Sequence, residues 1–388
     1  MPKCKLSIVL TVLILAALAC GTETNPSIQS DPSQQAAQPQ EISTQPVVTP
    51  ITELESTVFG FFPSPPEASF EAIISHFQLL GQHADFILMQ REVPWKDFVD
   101  GTEGESQQRT DIENLTILTE QNGMDRIFVV DPLNGLNRRE FFGLPDTWEA
   151  SFANPDVRAA ITNFTIWIVQ EYQPHYLGLA SEINTYADAH PDDFPHYVSL
   201  YKEIYDLVKT EAPDTQVFVT FQWDDLNNVL PEISEGRAAF DTNWDQIEIF
   251  EPQLDIWAIS SYPYVFFPSM SEVPGDYYSR LLDRTDKPLA VAEGGYSSRQ
   301  IGPFTGTEQD QVDYLNAIHT QIGERLDFWV YLVLSDFNID SFKQFMQEQG
   351  IENDDIDTLG MFASTGLINP DGTPKPALQL WDQLREGN

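Results

Sequence analysis

A buried β-strand that ends in a carboxylate is encoded by Pro288-Leu289-Ala290-Val291-Ala292-Glu293-Gly294-Gly295-Tyr296. Its apolar residues have no polar interruption, which is typical of a parallel strand covered on both faces. The glycines after Glu293 allow the backbone to turn sharply at the strand end. A glutamate in that place lies where an α/β barrel holds its catalytic groups. The alternative is a loop carboxylate that pairs with a nearby arginine such as Arg299.

The same design recurs in Tyr176-Leu177-Gly178-Leu179-Ala180-Ser181-Glu182-Ile183-Asn184. Two further strand–helix patterns lie between the two stretches, so in a closed parallel sheet Glu182 ends strand 4 and Glu293 ends strand 7. Those strands lie across the mouth of an eight-stranded barrel, where inward side chains meet. Two carboxyl groups about 5–5.5 Å apart are what a retaining glycosidase requires, one to protonate the leaving oxygen and one to attack the anomeric carbon.

Strand and helix patterns alternate along the whole chain from residue 57. The predicted strands are 57–62, 85–90, 126–130, the stretch that begins at Tyr176, 216–221, 255–261, 288–292 and 328–334. The predicted helices lie near 68–80, 111–122, 156–171, 195–210 and 308–322, with a last one from about residue 376. Eight strand–helix repeats indicate an α/β fold, the (β/α)8 or TIM barrel. A doubly wound open sheet is the alternative, but no Gly-rich phosphate loop follows the first strand.

The charge of the chain restricts its partners. Sixty acidic residues against 20 basic ones give a net charge of −40. Such a surface repels phosphate backbones, so we expect no nucleic-acid partner. It also disfavours a polyanionic substrate, whereas a neutral oligosaccharide or polysaccharide is compatible with it.

Cysteine and histidine usage indicates neither a metal site nor a cofactor. The only cysteines are Cys4 and Cys20, both near the N-terminus, and none of the six histidines forms an HExxH pair or another close ligand pair. No serine lies in a Gly-x-Ser-x-Gly elbow, so a serine hydrolase has no support.

The first 20 residues read as a targeting segment. Lys3 and Lys5 precede an apolar core over residues 6–19. The core ends in Ala17-Leu18-Ala19-Cys20-Gly21, which resembles a bacterial lipobox with Cys20 as the lipidation site, although Ala17 stands where leucine is usual. An extracytoplasmic lipoprotein, anchored in the membrane only by this lipid, is therefore expected. The alternative is an ordinary secretory signal.

Residues 21–54 are rich in Gln, Ser, Thr and Pro and almost free of aromatic residues. Such a segment does not bury enough apolar surface to offset the entropy of ordering, so a disordered linker is predicted. The barrel domain then spans residues 55–388.

Aromatic and polar residues are concentrated where the predicted strands end. Aromatic rings stack on the apolar faces of sugars, while amides and charged groups bond the hydroxyls, so these strand ends predict a sugar-binding cleft. Some of the rings could equally pad loops against the barrel. The candidate binding residues at the ends of strands 2, 5 and 6 are Arg91, Trp95, Gln222, Trp223 and Tyr262.

The combination resembles the clan A (4/7) retaining glycoside hydrolases, as does the segment over residues 366–377 before the last helix. The resemblance implies Glu182 as the acid/base and Glu293 as the nucleophile. It also implies that Tyr262 orients the nucleophile and that Trp329, or a neighbour on strand 8, lies beneath the sugar in the −1 subsite.

One position departs from the clan. An asparagine that bonds the sugar 2-hydroxyl usually precedes the acid/base, and here that position is Ser181. Ser181 through a water, Asn184 or Gln222 are the candidates to replace it. Hydrogen bonds to the 2-hydroxyl supply several kcal/mol in the transition state. A catalytically silent barrel that binds carbohydrate is therefore the rival hypothesis.

Overall fold

A computed structural model describes residues 57–102, 106–229, 237–348 and 360–387. The predicted signal segment, the lipidation site Cys20, the linker and the boundary at residue 55 lie outside the described residues. Within the described ranges, no helix has the length and apolarity to cross a membrane.

The described residues alternate between strands and helices. The strands are β1 (Val58–Phe61), β2 (Phe86–Glu92), β3 (Asp125–Asp131), β4 (Leu133–Asn134), β5 (Asn137–Phe141), β6 (Tyr176–Leu179), β7 (Gln216–Phe218), β8 (Thr220–Gln222), β9 (Trp257–Ser261), β10 (Leu289–Gly294) and β11 (Leu326–Tyr331). The α-helices are α1 (Phe70–His83), α2 (Trp95–Phe98), α3 (Gln107–Gln121), α4 (Pro155–Tyr172), α5 (Ile183–Ala189), α6 (Phe194–Glu211), α7 (Trp223–Leu226), α8 (Asp245–Glu248), α9 (Glu308–Ile322), α10 (Ile339–Glu348) and α11 (Pro376–Arg385).

The main sheet is parallel and follows the order β7-β6-β3-β2-β1-β11-β10-β9-β8. Its two outer members, β7 and β8, are consecutive pieces of the chain separated only by Val219. Because β7 pairs with β6 and β8 pairs with β9, this interrupted strand joins the two edges and closes the sheet. The predicted (β/α)8 barrel is confirmed, with the single strand expected at 216–221 divided between the two pairings.

Aromatic side chains fill the interior at the amino-terminal end of the strands. Phe328 of β11 lies 6.2, 5.0 and 5.3 Å, between ring centroids, from the rings of Phe86, Tyr176 and Phe218. β11 is separated from β6 and β7 by several strands in the sheet, so these rings meet only across the inside of the barrel. Burial of four aromatic side chains makes this layer a packed core and not a channel.

The outer face of β1 and β11 packs against the last helix. Phe59, Phe61, Trp329 and Tyr331 all contact the ring of Trp381 in α11, at centroid distances of 4.9–5.9 Å. Strand residues two apart share a face. These four side chains therefore point outward, where they are covered by α11, the helix predicted from about residue 376.

Two features at the carboxyl ends of the strands were not anticipated. A hairpin, β4–β5, projects directly after β3 and places Arg138 over the barrel mouth. The short helix α5 begins immediately after Glu182. Both position the charged residues described next.

Candidate active site

Glu182 lies at a strained strand end. Its φ and ψ are 50° and 43°, in the left-handed region, and Ala180 two residues earlier has φ 85°. Such conformations cost about 1–3 kcal/mol each for non-glycine residues and persist where the surroundings hold them. One of these constraints is the hydrogen bond from the Glu182 amide to Thr220 Oγ1, at 2.8 Å. The turn lifts the Glu182 carboxylate over the barrel mouth and starts α5.

A β-bulge decides which way Glu293 faces. Ala290 and Val291 pair with Ala258 and Ile259 of β9, but the register then shifts and Glu293 pairs with Ser260. Strict alternation would give Glu293 the outward facing of Val291. Because of the register shift, Glu293 faces the same side of the sheet as Ser260. The Ser260 hydroxyl donates to the Glu182 carboxylate, so that side is the barrel mouth. Bulges that re-aim a side chain are frequent beside active sites.

One guanidinium joins the two glutamates. Arg138 Nε donates to Glu182 Oε2 at 3.2 Å, and Arg138 Nη2 lies 3.9 Å from Glu293 Oε2. Its Nη1 donates to Asp131 at the end of β3. The Arg138 side chain is only 7% exposed, and those of Glu182 and Glu293 are 12% and 13% exposed. Glu182 and Glu293, the carboxylate pair, are therefore brought together around a single buried cation.

A polar network fixes Arg138. Gln90 on β2 donates to Asp131 Oδ2 at 2.6 Å, and the Asp131 Oδ1 accepts from the Leu133 amide at 3.2 Å. Burial by itself lowers the pKa of Arg138, but the surrounding carboxylates outweigh it and raise that pKa, so the guanidinium remains charged. The hairpin thus carries a fixed positive charge into the mouth.

Tyr262, which follows β9, donates its hydroxyl to Glu293 Oε1 at 2.5 Å. The Tyr262 amide donates to Asp224 Oδ2 at 3.0 Å, and the hydroxyl of Tyr277 donates to Asp224 Oδ1 at 2.5 Å. Burial raises the pKa of Asp224 to about 6 against the effect of these donors. Asp224 therefore holds the backbone that presents Tyr262 to the carboxylate pair.

The surroundings of Glu293 disfavour its ionised form. Burial and the Glu182 carboxylate raise the pKa of Glu293 to about 7, while Arg138 and the Tyr262 hydroxyl act in the opposite direction. A carboxyl group whose pKa is raised by burial and by a neighbouring charge is typical of functional sites.

Three predicted sugar-binding residues make contacts within the protein. The Ser181 hydroxyl lies 3.1 Å from Thr220 Oγ1. Asn184 is fully buried and bonds the Gln222 backbone in both directions, at 2.8 and 3.2 Å. The Gln222 side chain accepts from the Asp225 amide at 2.5 Å and so caps α7. Their contacts join α5 to β8 and are not directed at the carboxylate pair.

Other predicted residues lie beside the site or behind it. Trp95 is buried, donates to the Phe142 carbonyl at 2.7 Å and packs under the hairpin. Trp223 is fully buried and donates to the Tyr277 carbonyl at 3.2 Å. Arg91 points away from the mouth and donates to Gln108 of α3.

The structure does not bring Trp329 to the carboxylate pair. Its ring lies 5.6 Å from that of Trp381 and 5.8 Å from that of Phe59, on the outer face described above. The resemblance placed this side chain beneath the sugar, but in this chain β11 begins at Leu326 and presents Phe328 and Val330 to the interior.

Arg138 is the main site residue that sequence reasoning missed. It lies in the long loop after β3, where no strand pattern was recognised. The available signal was an Arg138-Arg139 pair close to a strand end in a chain with only 20 basic residues. Gln90, Asp131 and Ser260 lie at or next to the ends of predicted strands, but no local pattern groups them into one network. Among the described residues, no group of three or more His, Cys, Asp and Glu side chains has the arrangement of a metal site.

The sequence matches no family model, and a comparison with curated proteins finds no match. Solved structures do match. An exo-β-1,4-mannosidase from Opitutaceae bacterium strain TAV5 superposes with a TM-score of 0.59 at 12% identity, over 86% of this chain and 59% of that one. The chain therefore spans about three fifths of the mannosidase's length.

Two further matches are variants of GH5_18 proteins solved with Manβ1-4GlcNAc. The one from Bifidobacterium longum has a TM-score of 0.57 at 14% identity, over 85% of this chain and 78% of that one. The one from Streptomyces cattleya has a TM-score of 0.57 at 12% identity, over 85% and 80%. The chain thus has the (β/α)8 fold of the GH5 and related clan A glycoside hydrolases.

Proposed function

We propose that this chain is a retaining glycoside hydrolase that cleaves a neutral β-linked glycan. The observation that carries the proposal is the carboxylate pair. Glutamates from the ends of the fourth and seventh barrel strands contact one guanidinium, and a tyrosine hydroxyl bonds the second glutamate. The fold of the matched glycoside hydrolases agrees with it.

In the first step Glu293 attacks the anomeric carbon and Glu182 protonates the departing glycosidic oxygen. The nucleophile must be ionised, and both Tyr262 and Arg138 stabilise its anionic form. As the ester forms, the charge on Glu293 disappears, which removes its repulsion of Glu182.

In the second step Glu182 removes a proton from water, which attacks the anomeric carbon and releases Glu293. The anomeric configuration is thereby retained. Ser260, which donates to Glu182, and Arg138 hold this carboxylate in place through both steps.

The charge of the mouth favours a neutral sugar. Asp131, Glu182 and Glu293 surround Arg138 and outnumber it, so this cation is not free to pair with a substrate carboxylate. Because the matched structures include an exo-β-1,4-mannosidase and complexes with Manβ1-4GlcNAc, β-mannosides are the first substrates to test.

The test is hydrolysis of 4-nitrophenyl β-D-mannopyranoside, its β-D-gluco and β-D-galacto analogues, and soluble neutral β-glycans by the purified full-length chain. Glu293→Gln is the inactive control. Glu211→Gln, a change at an exposed glutamate on α6, is the matched surface control. We expect release by wild type and Glu211→Gln but not by Glu293→Gln. Equal release by all three would remove Glu293 from the mechanism.

One observation favours a second function, carbohydrate binding without cleavage. Both oxygens of Glu182 accept hydrogen bonds, one from Ser260 and one from Arg138. Glu182 is thus engaged by the protein through both oxygens, as expected of a residue that fixes the hairpin and β9 in a binding barrel. Calorimetric binding of neutral β-glycans by wild type, with no product released from any of them, would favour the silent barrel.

We further propose that Cys20 is lipidated and tethers the barrel to a membrane surface. The support is the sequence of the targeting segment alone. Expression with a labelled fatty acid should label the wild-type chain and the Cys4→Ala variant but not Cys20→Ala. Release of unlabelled wild-type chain into the medium would instead indicate an ordinary secretory signal.

A further inference from the structure

A third glutamate lies at the same mouth and has no role in the steps above. Glu92 is the last residue of β2 and pairs in register with Asp131 at the end of β3. Residues paired in a parallel sheet share a face, and so do residues two apart along a strand. Asp131 and Gln90 both face the mouth, where Asp131 accepts hydrogen bonds from Gln90 and from Arg138. Glu92 therefore faces the mouth too.

The Glu92 carboxyl is buried and incompletely bonded. Its Oε1 is inaccessible and has no hydrogen-bond partner among the described residues. Burial raises the pKa of Glu92 to about 8, against the opposing effect of the Arg91 guanidinium, and the Asp131 carboxylate raises it further. At pH 7 the group is a neutral acid that offers one donor and free acceptor capacity.

A buried polar group without a partner costs folding free energy, about 1–3 kcal/mol. Each such group in a native structure calls for an explanation, and a ligand that supplies the missing bond is one. We propose that Glu92 is a sugar-binding residue whose carboxyl group hydrogen-bonds one hydroxyl of the sugar ring held against the carboxylate pair. This inference rests on the proposed hydrolase function.

The neighbours of Glu92 favour a neutral hydroxyl over a charged ligand. An anion would meet Asp131 directly across the β2–β3 pair. A sugar hydroxyl both donates and accepts, so it satisfies the carboxyl without a change in charge. Arg91, whose charge acts on Glu92, lies on the outer side of the strand and bonds Gln108, so it is not placed to bond a ligand in the mouth.

The test measures coupling between Glu92 and single hydroxyls of the substrate. Kinetics of 4-nitrophenyl β-D-mannopyranoside and of its 2-, 3-, 4- and 6-deoxy derivatives are compared in wild type, Glu92→Ala and Glu92→Gln. Glu140→Ala, at an exposed glutamate of the hairpin, is the matched control. Binding of Manβ1-4GlcNAc to Glu293→Gln, with and without Glu92→Ala, gives a readout independent of turnover.

We expect Glu92→Ala to lower kcat/KM by about tenfold or more, Glu92→Gln to lower it far less because the amide keeps a donor and an acceptor, and Glu140→Ala to leave it unchanged. With wild type, kcat/KM for one deoxy substrate should be about tenfold lower than for the parent substrate. With Glu92→Ala that deoxy substrate should show no further loss, because the variant and the deoxy substrate each remove the same hydrogen bond. Affinity of Glu293→Gln for Manβ1-4GlcNAc should fall in parallel.

Additive losses for every deoxy substrate, or unchanged kinetics in Glu92→Ala, would overturn the inference and leave the hydrolase standing. A fall of more than about 4 °C in the Tm of Glu92→Ala would also overturn it, since it would indicate a structural role. Absence of both hydrolysis and binding in the parent chains would instead remove the proposed function, and the inference with it.

Discussion

Glu293→Gln should make the protein more stable at neutral pH while abolishing its activity. Burial and the Glu182 carboxylate raise the pKa of Glu293 from an ordinary value of 4.5 to about 7. An acid whose pKa is higher in the folded state destabilises the fold once the pH exceeds its unfolded value. The cost therefore grows between pH 4.5 and pH 7 and is constant above pH 7.

The size of the stability difference follows from the pKa shift of Glu293. A change from 4.5 to about 7 corresponds to about 3 kcal/mol of unfolding free energy. Glutamine has nearly the same shape and keeps an acceptor for the Tyr262 hydroxyl, so little else is lost. The variant should match wild type near pH 4.5 and exceed it by about 3 kcal/mol above pH 7.

Urea unfolding of both chains at intervals from pH 4.5 to 8 measures the difference directly, with Glu211→Gln as the control for a general charge effect in so acidic a protein. A stability difference that does not depend on pH would refute the claim that burial disfavours the ionised form of Glu293. A Glu293→Gln variant less stable than wild type at pH 8 would refute it as well.

Three further changes test neighbouring parts of the account. Arg138→Met should raise the pKa of Glu293 further, so the acid limb of the pH profile of kcat/KM should move to higher pH. Loss of the buried cation should also lower the unfolding free energy, measured in urea at pH 7, by about 3–5 kcal/mol. Tyr262→Phe should shift the same limb upward and lower kcat/KM by about tenfold to a hundredfold, because it removes a hydrogen bond to an ionised group. Ala180→Gly should leave Tm unchanged or raise it, since glycine accepts φ 85° without strain, whereas Gly178→Ala should lower Tm because its Cβ would lie 2.8 Å from a Val129 methyl carbon.

The sequence was sufficient to predict the barrel and the position of the two glutamates at strand ends, because local patterns encode both. Uninterrupted apolar runs mark strands buried on both faces, and a polar residue that closes such a run marks the strand end. Glu182, Glu293 and Tyr262 all follow from that rule, and the geometry brings them together.

The remaining features depend on long-range pairing. A run such as Phe328–Leu334 is apolar throughout, so it does not reveal that Trp329 faces the last helix while Phe328 faces the interior. The bulge that turns Glu293 inward becomes visible only when β10 is aligned with β9. Arg138 reaches the pair through a hairpin whose strands carry no apolar alternation.

The most direct test of the central claim is to trap the covalent intermediate. Full-length wild type is incubated with 2-deoxy-2-fluoro-β-D-mannosyl and β-D-glucosyl fluorides, digested and examined by mass spectrometry. The account predicts one fluorosugar attached to the peptide that contains Glu293 and none attached to the Glu293→Gln variant. Attachment at another residue, or hydrolysis that inverts the anomeric configuration by proton NMR, would contradict it.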